Sequence, residues 1–273
     1  YDSLHYGLRS AFVLDNGKGI YENLGMINLV YTYSKGLEVL ALPLSGTPTY
    51  GFVLAFSLWM TIAVLVLAAS MVRRKRGLGM GLFAAAVLSS IPGIMNMAAT
   101  AKSDIITLLH QLIIYDFLCR AFEKKERTPW LLMAVATYLL TLVYKPTALV
   151  FSTALGGTAL ICLMATGRFS LGDKKGWLLL LFPAGAAAGL WYRTWLMTGV
   201  PVTSIFAGFC ERLGWKVRYP FSFSHVIGDP SMLTAGEKLA RLGRRLGEML
   251  TAPVSVDMDH VVIAWGTGLV TLF

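Results

Sequence analysis

The sequence predicts an all-α protein: a polytopic bundle of transmembrane helices with interfacial helices in its outer loops. Hydrophobic residues make up 56% of the 273 residues and charged residues only 14%, whereas soluble domains carry about 25% charged residues. Several apolar runs reach the roughly 20 residues that a helix needs to cross the core of a bilayer. We expect residues 1–273 to form a single transmembrane domain.

Residues 1–50 are predicted to form a first outer loop with amphipathic helices. Apolar side chains recur at helical spacing at Leu4, Leu8 and Phe12, and the spacing resumes after a turn-forming stretch at 15–19. Helices of this kind lie in the membrane interface, a depth that also suits the tyrosine rings of this segment.

Residues 51–198 are predicted to contain about six membrane spans, because apolar runs alternate there with short polar turns and several of the runs are long enough to cross the hydrocarbon core. The runs are Gly51–Val72, Leu78–Met95, Asp104–Phe122, Trp130–Tyr144, Thr147–Thr166 and Trp177–Thr198. Residues 199–257 form a long outer loop, and residues 258–273 begin a further span. Because the chain starts without Met and stops inside an apolar run, we expect it to be a segment of a longer protein.

The basic residues indicate membrane topology. The formal net charge is +9, but the charges sit in short clusters between apolar runs, which favours a topological role over nucleic-acid binding. Alternating spans place the clusters at 73–76, 123–127 and 168–175 on one side, and the positive-inside rule makes that side cytoplasmic. A site built from the opposite loops then faces outward.

Two acidic residues are candidate catalytic groups on that outward side. Asp2 opens the first loop, although Asp is also a favoured N-cap for a helix starting at Ser3. Asp104 begins the third span, where a carboxylate gains roughly 0.3–1 kcal/mol from the helix dipole. Ser103 is itself a good N-cap, which leaves Asp104 for another role. The two carboxylates are suited to act as general base and as organiser of an acceptor, a phosphate or a metal.

Basic residues of the same side are candidates for phosphate binding. Lys145 lies between two apolar runs and Arg193 near the end of the sixth, and for both snorkelling to the interface is the alternative role. Arg244 and Arg245 lie in an amphipathic stretch, where an interfacial helix is the simpler interpretation and bidentate phosphate binding the alternative. The histidines lack zinc-ligand spacing, so no dedicated zinc site is predicted.

Two stretches resemble outer loops of a known family. The stretch YDSLHYGLRSAFVLDNG (1–17) resembles the first outer loop of GT-C glycosyltransferases that use polyprenyl-phosphate sugars, the protein-mannosyltransferase and aminoarabinose-transferase kind. IPGIMNMAATAKSDIITLL (91–109) is similar to the second outer loop of that family. On this match Asp2 and Asp104 take the two acidic positions, and Gly7 stands where the family commonly has His.

Two shorter stretches extend the resemblance in the same order along the chain. YKPTALVF (144–151) resembles a lysine-containing break between spans, and WLMTGVPVTSI (195–205) resembles the opening of the large outer loop, with Val200 in place of Asn. The resemblance implies that His5 and Tyr6, together with the basic candidates, contact substrate. Some members of the family use a divalent cation, Mg²⁺ or Mn²⁺, and others do not.

The resemblance implies an inverting sugar transfer at the outer face of a bacterial plasma membrane. The expected partners are a polyprenyl-phosphate sugar donor, a glycan, lipid or protein acceptor, and membrane lipid, with no nucleic acid. A multi-pass transporter or flippase is the first alternative, although it predicts ionisable groups in mid-span, and these interiors are nearly free of charge. A non-catalytic membrane scaffold is the second.

Overall fold

The computed structural model describes residues 20, 35–45, 51–100, 102–145, 148–168, 172, 174–202, 206–218 and 234–251. Within these residues every regular element is a helix and no strand occurs. This agrees with the predicted all-α class, because a helix satisfies its own backbone hydrogen bonds where lipid offers none. Asp2, His5 and Tyr6 lie outside the described residues.

The first half of the described chain forms the helices α1 (Gly36–Ser45), α2 (Gly51–Arg76), α3 (Leu78–Ser89), α4 (Pro92–Ala98) and α5 (Asp104–Glu123). The second half forms α6 (Thr128–Tyr144), α7 (Ala148–Ala165), a 3₁₀ helix (Lys174–Leu180), α8 (Leu181–Thr198), α9 (Ala207–Arg212) and α10 (Ala235–Thr251). The helices α5 and α7 begin and end within a residue or two of the predicted third and fifth runs.

By length and composition, the described residues contain three or four candidate spans rather than about six. Three helices are long and apolar enough to cross a membrane: Leu54–Arg76, Asp104–Glu123 and Ala148–Ala165. A fourth candidate joins α3 and α4, which are bent by 78° at the break between them. The helix α6 is apolar but has only 17 residues, and the predicted sixth span is divided between the 3₁₀ helix and α8.

Pro92 explains the bend between α3 and α4. A proline disfavours helical geometry in the residue before it, and Ile91 is extended, with φ −77° and ψ 112°. Pro92 then occupies the first turn of α4, where its missing N–H removes no intrahelical bond. The predicted span at 78–95 is therefore bent, since the chain changes direction four residues before that run ends.

Helices α2 and α5 run in the same direction, side by side. At one end the Ser57 hydroxyl donates a hydrogen bond of 2.7 Å to the Thr100 carbonyl, just before α5 begins. At the other end Lys75 and Glu123 form an ion pair of 2.8 Å. We call the first the Asp104 end of the bundle and the second the Arg74 end.

Helix α6 returns along α5 in the opposite direction. Lys145, which follows α6, forms an ion pair with Asp104 at the start of α5. At the Arg74 end the Arg120 guanidinium lies 4.9 Å from the ring centroid of Trp130. A cluster of buried side chains joins α5, α6 and α7 between these ends: Ile114, Leu118, Ala121, Leu131, Ala134, Ala159 and Leu163.

A buried carboxylate ties α2 to α5 at the Arg74 end. The Asp116 side chain is 5% exposed and accepts hydrogen bonds from Arg74 of α2 and, at 2.8 Å, from Arg120 one turn along α5. The spacing of Asp116 and Arg120 predicts such a pair from sequence, and the structure confirms it. Arg74 adds a partner 42 residues away, which local spacing does not reveal.

The close approach of α3 to α2 requires glycine at position 81. A Cβ atom at Gly81 would lie 2.7 Å from the Ala69 carbonyl oxygen of α2. We expect Gly81→Ala to push the two helices apart and to lower the free energy of unfolding by about 1–3 kcal/mol. The measurement is thermal unfolding of the purified protein in detergent, followed by circular dichroism.

Gly79→Ala is the matched control, since a Cβ atom at Gly79 on the same helix meets nothing within 4 Å. Alanine there is expected to leave stability unchanged or to raise it by up to about 1 kcal/mol through helix propensity. Equal effects of the two substitutions would contradict the tight α2–α3 packing.

Candidate functional site

The site is built around Asp104 and Lys145, which the fold brings into direct contact. Their side chains form an ion pair although the residues are 41 positions apart. Asp104 is the first residue of α5, and Lys145 is the C-cap of α6 in an extended conformation with φ −148° and ψ 112°. Lys145 precedes Pro146 in the sequence, and a residue before proline favours this extended geometry.

Both partners of this pair remain open to solvent or ligand. The Lys145 side chain is 32% exposed and the Asp104 side chain 34% exposed. An ion pair this exposed contributes about 0–1 kcal/mol to stability, so an incoming charged group can displace either partner. The pair therefore holds an ionised carboxylate and an ammonium group side by side in a position that a substrate can reach.

Ser103 does not cap α5 in the way the sequence suggests. Its backbone is already helical, with φ −76° and ψ −1°, and its side chain makes no capping hydrogen bond. The Ser103 carbonyl instead accepts a hydrogen bond of 2.6 Å from the Thr107 hydroxyl. The predicted N-cap is wrong, because an N-cap needs an extended residue that turns its side chain back to the first turn.

An aromatic pair lies next to the ion pair. The rings of His110 and Tyr144 have centroids 4.9 Å apart, and Tyr144 directly precedes Lys145. The His110 Nδ1 atom donates a hydrogen bond of 2.8 Å to the Ile106 carbonyl, because a carbonyl can only accept. His110 is thus packed within α5, with its ring against Tyr144.

A second polar cluster is buried close to the C-terminal end of α6. Lys35 is 1% exposed and Arg193 is 0% exposed, and Lys35 forms an ion pair of 3.2 Å with Glu38. A Cβ atom at Gly36 would lie 2.7 Å from the Val143 carbonyl oxygen, so the start of α1 packs directly on α6. The cluster therefore lies near the end of α6, the helix that Lys145 follows.

Arg193 is buried rather than extended to the interface. Its Nε atom donates a hydrogen bond to the Ile20 carbonyl, which links α8 to the first fifty residues. The snorkelling alternative is wrong for Arg193, because a snorkelling arginine keeps its guanidinium in water. Phosphate binding by Arg193 stays a prediction.

Burial lowers the pKa of Lys35 from its ordinary value, and the positive charge of Arg193 lowers it further. The carboxylate of Glu38 opposes this shift because it stabilises the charged ammonium. Sequence reasoning did not single out Lys35 and Glu38. Their spacing of three residues in a stretch predicted to be amphipathic is the one local signal that points to them.

Arg244 and Arg245 lie on α10, the helix that the leucine spacing predicts. Thr234 and Glu237 form a reciprocal cap: Thr234 N donates to the Glu237 carboxylate at 2.7 Å, and Glu237 N donates to the Thr234 hydroxyl at 3.3 Å. Leu239 is 70% exposed on this helix, and Arg244 is exposed as well. This is the amphipathic helix expected at a membrane interface.

Across the residues that the structure describes, no group of three or more His, Cys, Asp or Glu side chains is placed to hold a metal ion. Of the two candidate catalytic carboxylates, Asp104 is the one that the structure describes, and its partner is a lysine. A role for Mg²⁺ or Mn²⁺ stays a prediction that involves Asp2.

We expect a weak energetic coupling between Asp104 and Lys145. In a double-mutant cycle with Asp104→Asn and Lys145→Gln, the coupling free energy should be about 0.2–1 kcal/mol, because water screens a partly exposed pair. Thermal unfolding of the four proteins in one detergent measures it. A coupling above about 2 kcal/mol would contradict a pair that a ligand can easily open.

We expect Lys35 to make stability depend on pH. Because its folded pKa is lowered, the unfolded chain binds more protons at this residue, so its contribution raises stability as pH rises towards the ordinary lysine pKa of about 10.4. That contribution is lost as pH falls through the folded pKa. Thermal unfolding at a series of pH values should show a steeper rise for the wild type than for Lys35→Met.

Lys125→Met is the control for that series, because Lys125 is exposed at the Arg74 end. It should leave the pH dependence of unfolding close to that of the wild type. A slope that Lys35→Met leaves unchanged would show that the Lys35 ammonium keeps its ordinary proton affinity in the folded protein.

Comparisons with known proteins found no match to this chain. No protein-family model matches the chain, and neither a curated protein nor a solved structure matches it. The likeness to GT-C glycosyltransferases therefore rests on short stretches of sequence and on the residues that those stretches contain.

Proposed function

We propose that the chain is a membrane glycosyltransferase with a GT-C-like bundle of transmembrane helices. It moves a sugar, with inversion, from a polyprenyl-phosphate donor to an acceptor on the extracytoplasmic side. One observation supports this most directly: Asp104 and Lys145 come from two separate stretches that resemble the family, and they meet as a partly exposed ion pair. A carboxylate beside a cation is the minimum that such a transfer requires.

The proposed reaction uses the two charges in opposite roles. The donor phosphate binds Lys145 and displaces it from Asp104, which costs little because the pair is exposed. The acceptor hydroxyl or amine attacks the anomeric carbon, and the bond from that carbon to the phosphate oxygen breaks. The proton of the acceptor passes to an acidic residue, and polyprenyl phosphate leaves with the bonding electrons.

Asp2 and Asp104 have different roles in the proposed reaction. Asp2 is the general base or acceptor positioner, and Asp104 is the second acidic group. His5 and Tyr6 contact the substrate beside Asp2. Arg193, Arg244 and Arg245 are further candidates for the donor phosphate, the last two from a helix suited to the depth of lipid headgroups.

A transporter or flippase of lipid-linked substrates is the second candidate function. The observation that favours it is the 78° bend between α3 and α4, because transporters build binding sites from interrupted helices. The same bend leads the chain to Asp104, so it is also compatible with an enzyme that uses the bend to form its second outer loop.

The test is release of polyprenyl phosphate by the full-length protein in proteoliposomes, supplied with a panel of polyprenyl-phosphate sugars. We expect wild-type turnover to fall by about 10²-fold or more in Asp2→Asn, as for the loss of a general base. Asp104→Asn should fall as well. Glu126→Gln, an exposed carboxylate at the Arg74 end, is the control and should keep wild-type turnover.

The outcomes separate the candidates. If Asp104→Asn leaves turnover unchanged, Asp104 takes no part in the reaction. Movement of intact donor across the bilayer, with no release of polyprenyl phosphate, would favour the transporter. Turnover abolished by EDTA and restored by Mg²⁺ or Mn²⁺ would add a cation to the site.

A further inference from the structure

An apolar cavity of about 450 Å³ lies between α5, α6, α7 and the 3₁₀ helix. This volume falls in the range of about 300–1,000 Å³ that is typical of ligand pockets. Its walls include Ile114, Leu118, Leu131, Leu163 and Trp177. Along α7 the lining extends from Ser152 to Leu163, about 16 Å at the helical rise. The cavity is therefore long and apolar, which suits a hydrocarbon chain.

The cavity is reached from the outer surface of the bundle. Thr153 and Leu160 line it and are exposed on α7, one of the helices that can span a membrane. Cβ atoms at Gly156 and Gly157 would meet nothing within 4 Å, so the α7 wall leaves open space there. A lipid chain can enter from the side, from the hydrocarbon that surrounds a spanning helix.

The Arg74 end of the cavity is basic. The segments 73–76 and 116–127 meet at this end through the Arg74–Asp116 and Lys75–Glu123 ion pairs, and in them basic residues outnumber acidic ones. Gly172 lies against the start of α6, because a Cβ atom there would be 2.0 Å from the Thr128 hydroxyl. Trp177, an apolar ring with a polar N–H, lines the cavity on this side.

Arg127 is placed to receive an anion beside the cavity. It precedes α6 and stands one turn before Leu131, whose backbone N–H donates to the Arg127 carbonyl at 3.0 Å. Its Nε atom is buried and has no hydrogen-bond partner among the described residues. No side chain caps the start of α6; Pro129 has no N–H, so the N–H groups of Thr128 and Trp130 are those at this helix start that favour an anion.

We propose that the cavity holds one acyl chain of an anionic glycerophospholipid, with the phosphate at the start of α6 against Arg127. The apolar walls select a hydrocarbon chain, and the basic residues around the mouth select a negative headgroup over a zwitterionic one. This binding is independent of sugar transfer, since neither Asp104 nor Lys145 lines the cavity.

The test is lipid binding to the delipidated full chain in detergent, measured by native mass spectrometry. The probes are phosphatidylglycerol and phosphatidylcholine with the same acyl chains. We expect one phosphatidylglycerol to bind about tenfold more tightly than phosphatidylcholine, through the basic mouth. Equal affinity for the two lipids would overturn the proposed recognition of the headgroup.

Two variants separate the contribution of the acyl chain to binding from that of the headgroup. Gly156→Leu fills the cavity and should weaken both lipids about tenfold or more, whereas Gly185→Leu should not, because it adds the same side chain to an exposed part of α8. Arg127→Gln should weaken phosphatidylglycerol about fivefold and leave phosphatidylcholine unchanged. Arg76→Gln, an exposed arginine of α2, is its control.

Unchanged binding in Gly156→Leu would overturn the cavity as the binding place. Equal losses for Arg127→Gln and Arg76→Gln would overturn the specific role of Arg127 and reduce the effect to general surface charge. If Gly156→Leu does not fold, as judged by circular dichroism, Arg127→Gln and its control decide the proposal without any change to the core.

Discussion

The buried carboxylate of Asp116 is the interaction on which the arrangement of the bundle depends. It accepts hydrogen bonds from Arg74 of α2 and Arg120 of α5. These bonds fix the position of one helix along the other. Leaving such a carboxylate without partners would cost several kcal/mol. The buried cluster that joins α5, α6 and α7 holds α6 along α5 and so places Lys145 at the opposite end.

The two ends of the bundle use the same chemistry for different purposes. At the Arg74 end the carboxylate is 5% exposed and bonded twice, so its charge is committed to packing. At the Asp104 end the carboxylate is 34% exposed with one lysine partner, so its charge stays available. Solvent exposure, rather than residue type, makes Asp104 the better candidate for chemistry and Asp116 the better candidate for structure.

The proposed lipid cavity and the proposed transfer site lie towards opposite ends of α5 and α6. A bound phospholipid would fill the space between α6 and α7 and hold these helices together, which in turn steadies Lys145 at the end of α6. This relation needs no direct contact between the two sites. Either proposal can fail without the other, since one depends on Arg127 and the cavity and the other on Asp104 and Lys145.

Features that depend on local spacing could be predicted from the sequence. Apolar runs predicted the long helices, the four-residue spacing predicted the Asp116–Arg120 pair, and leucine spacing predicted α10. Asp104 was correctly placed at the start of α5. Helix packing, which local spacing does not reveal, brings Asp104 to Lys145, buries Arg193 and leaves a cavity beside Gly156. Periodicity records which face of a helix is apolar, but distances between residues far apart in sequence depend on how the helices pack.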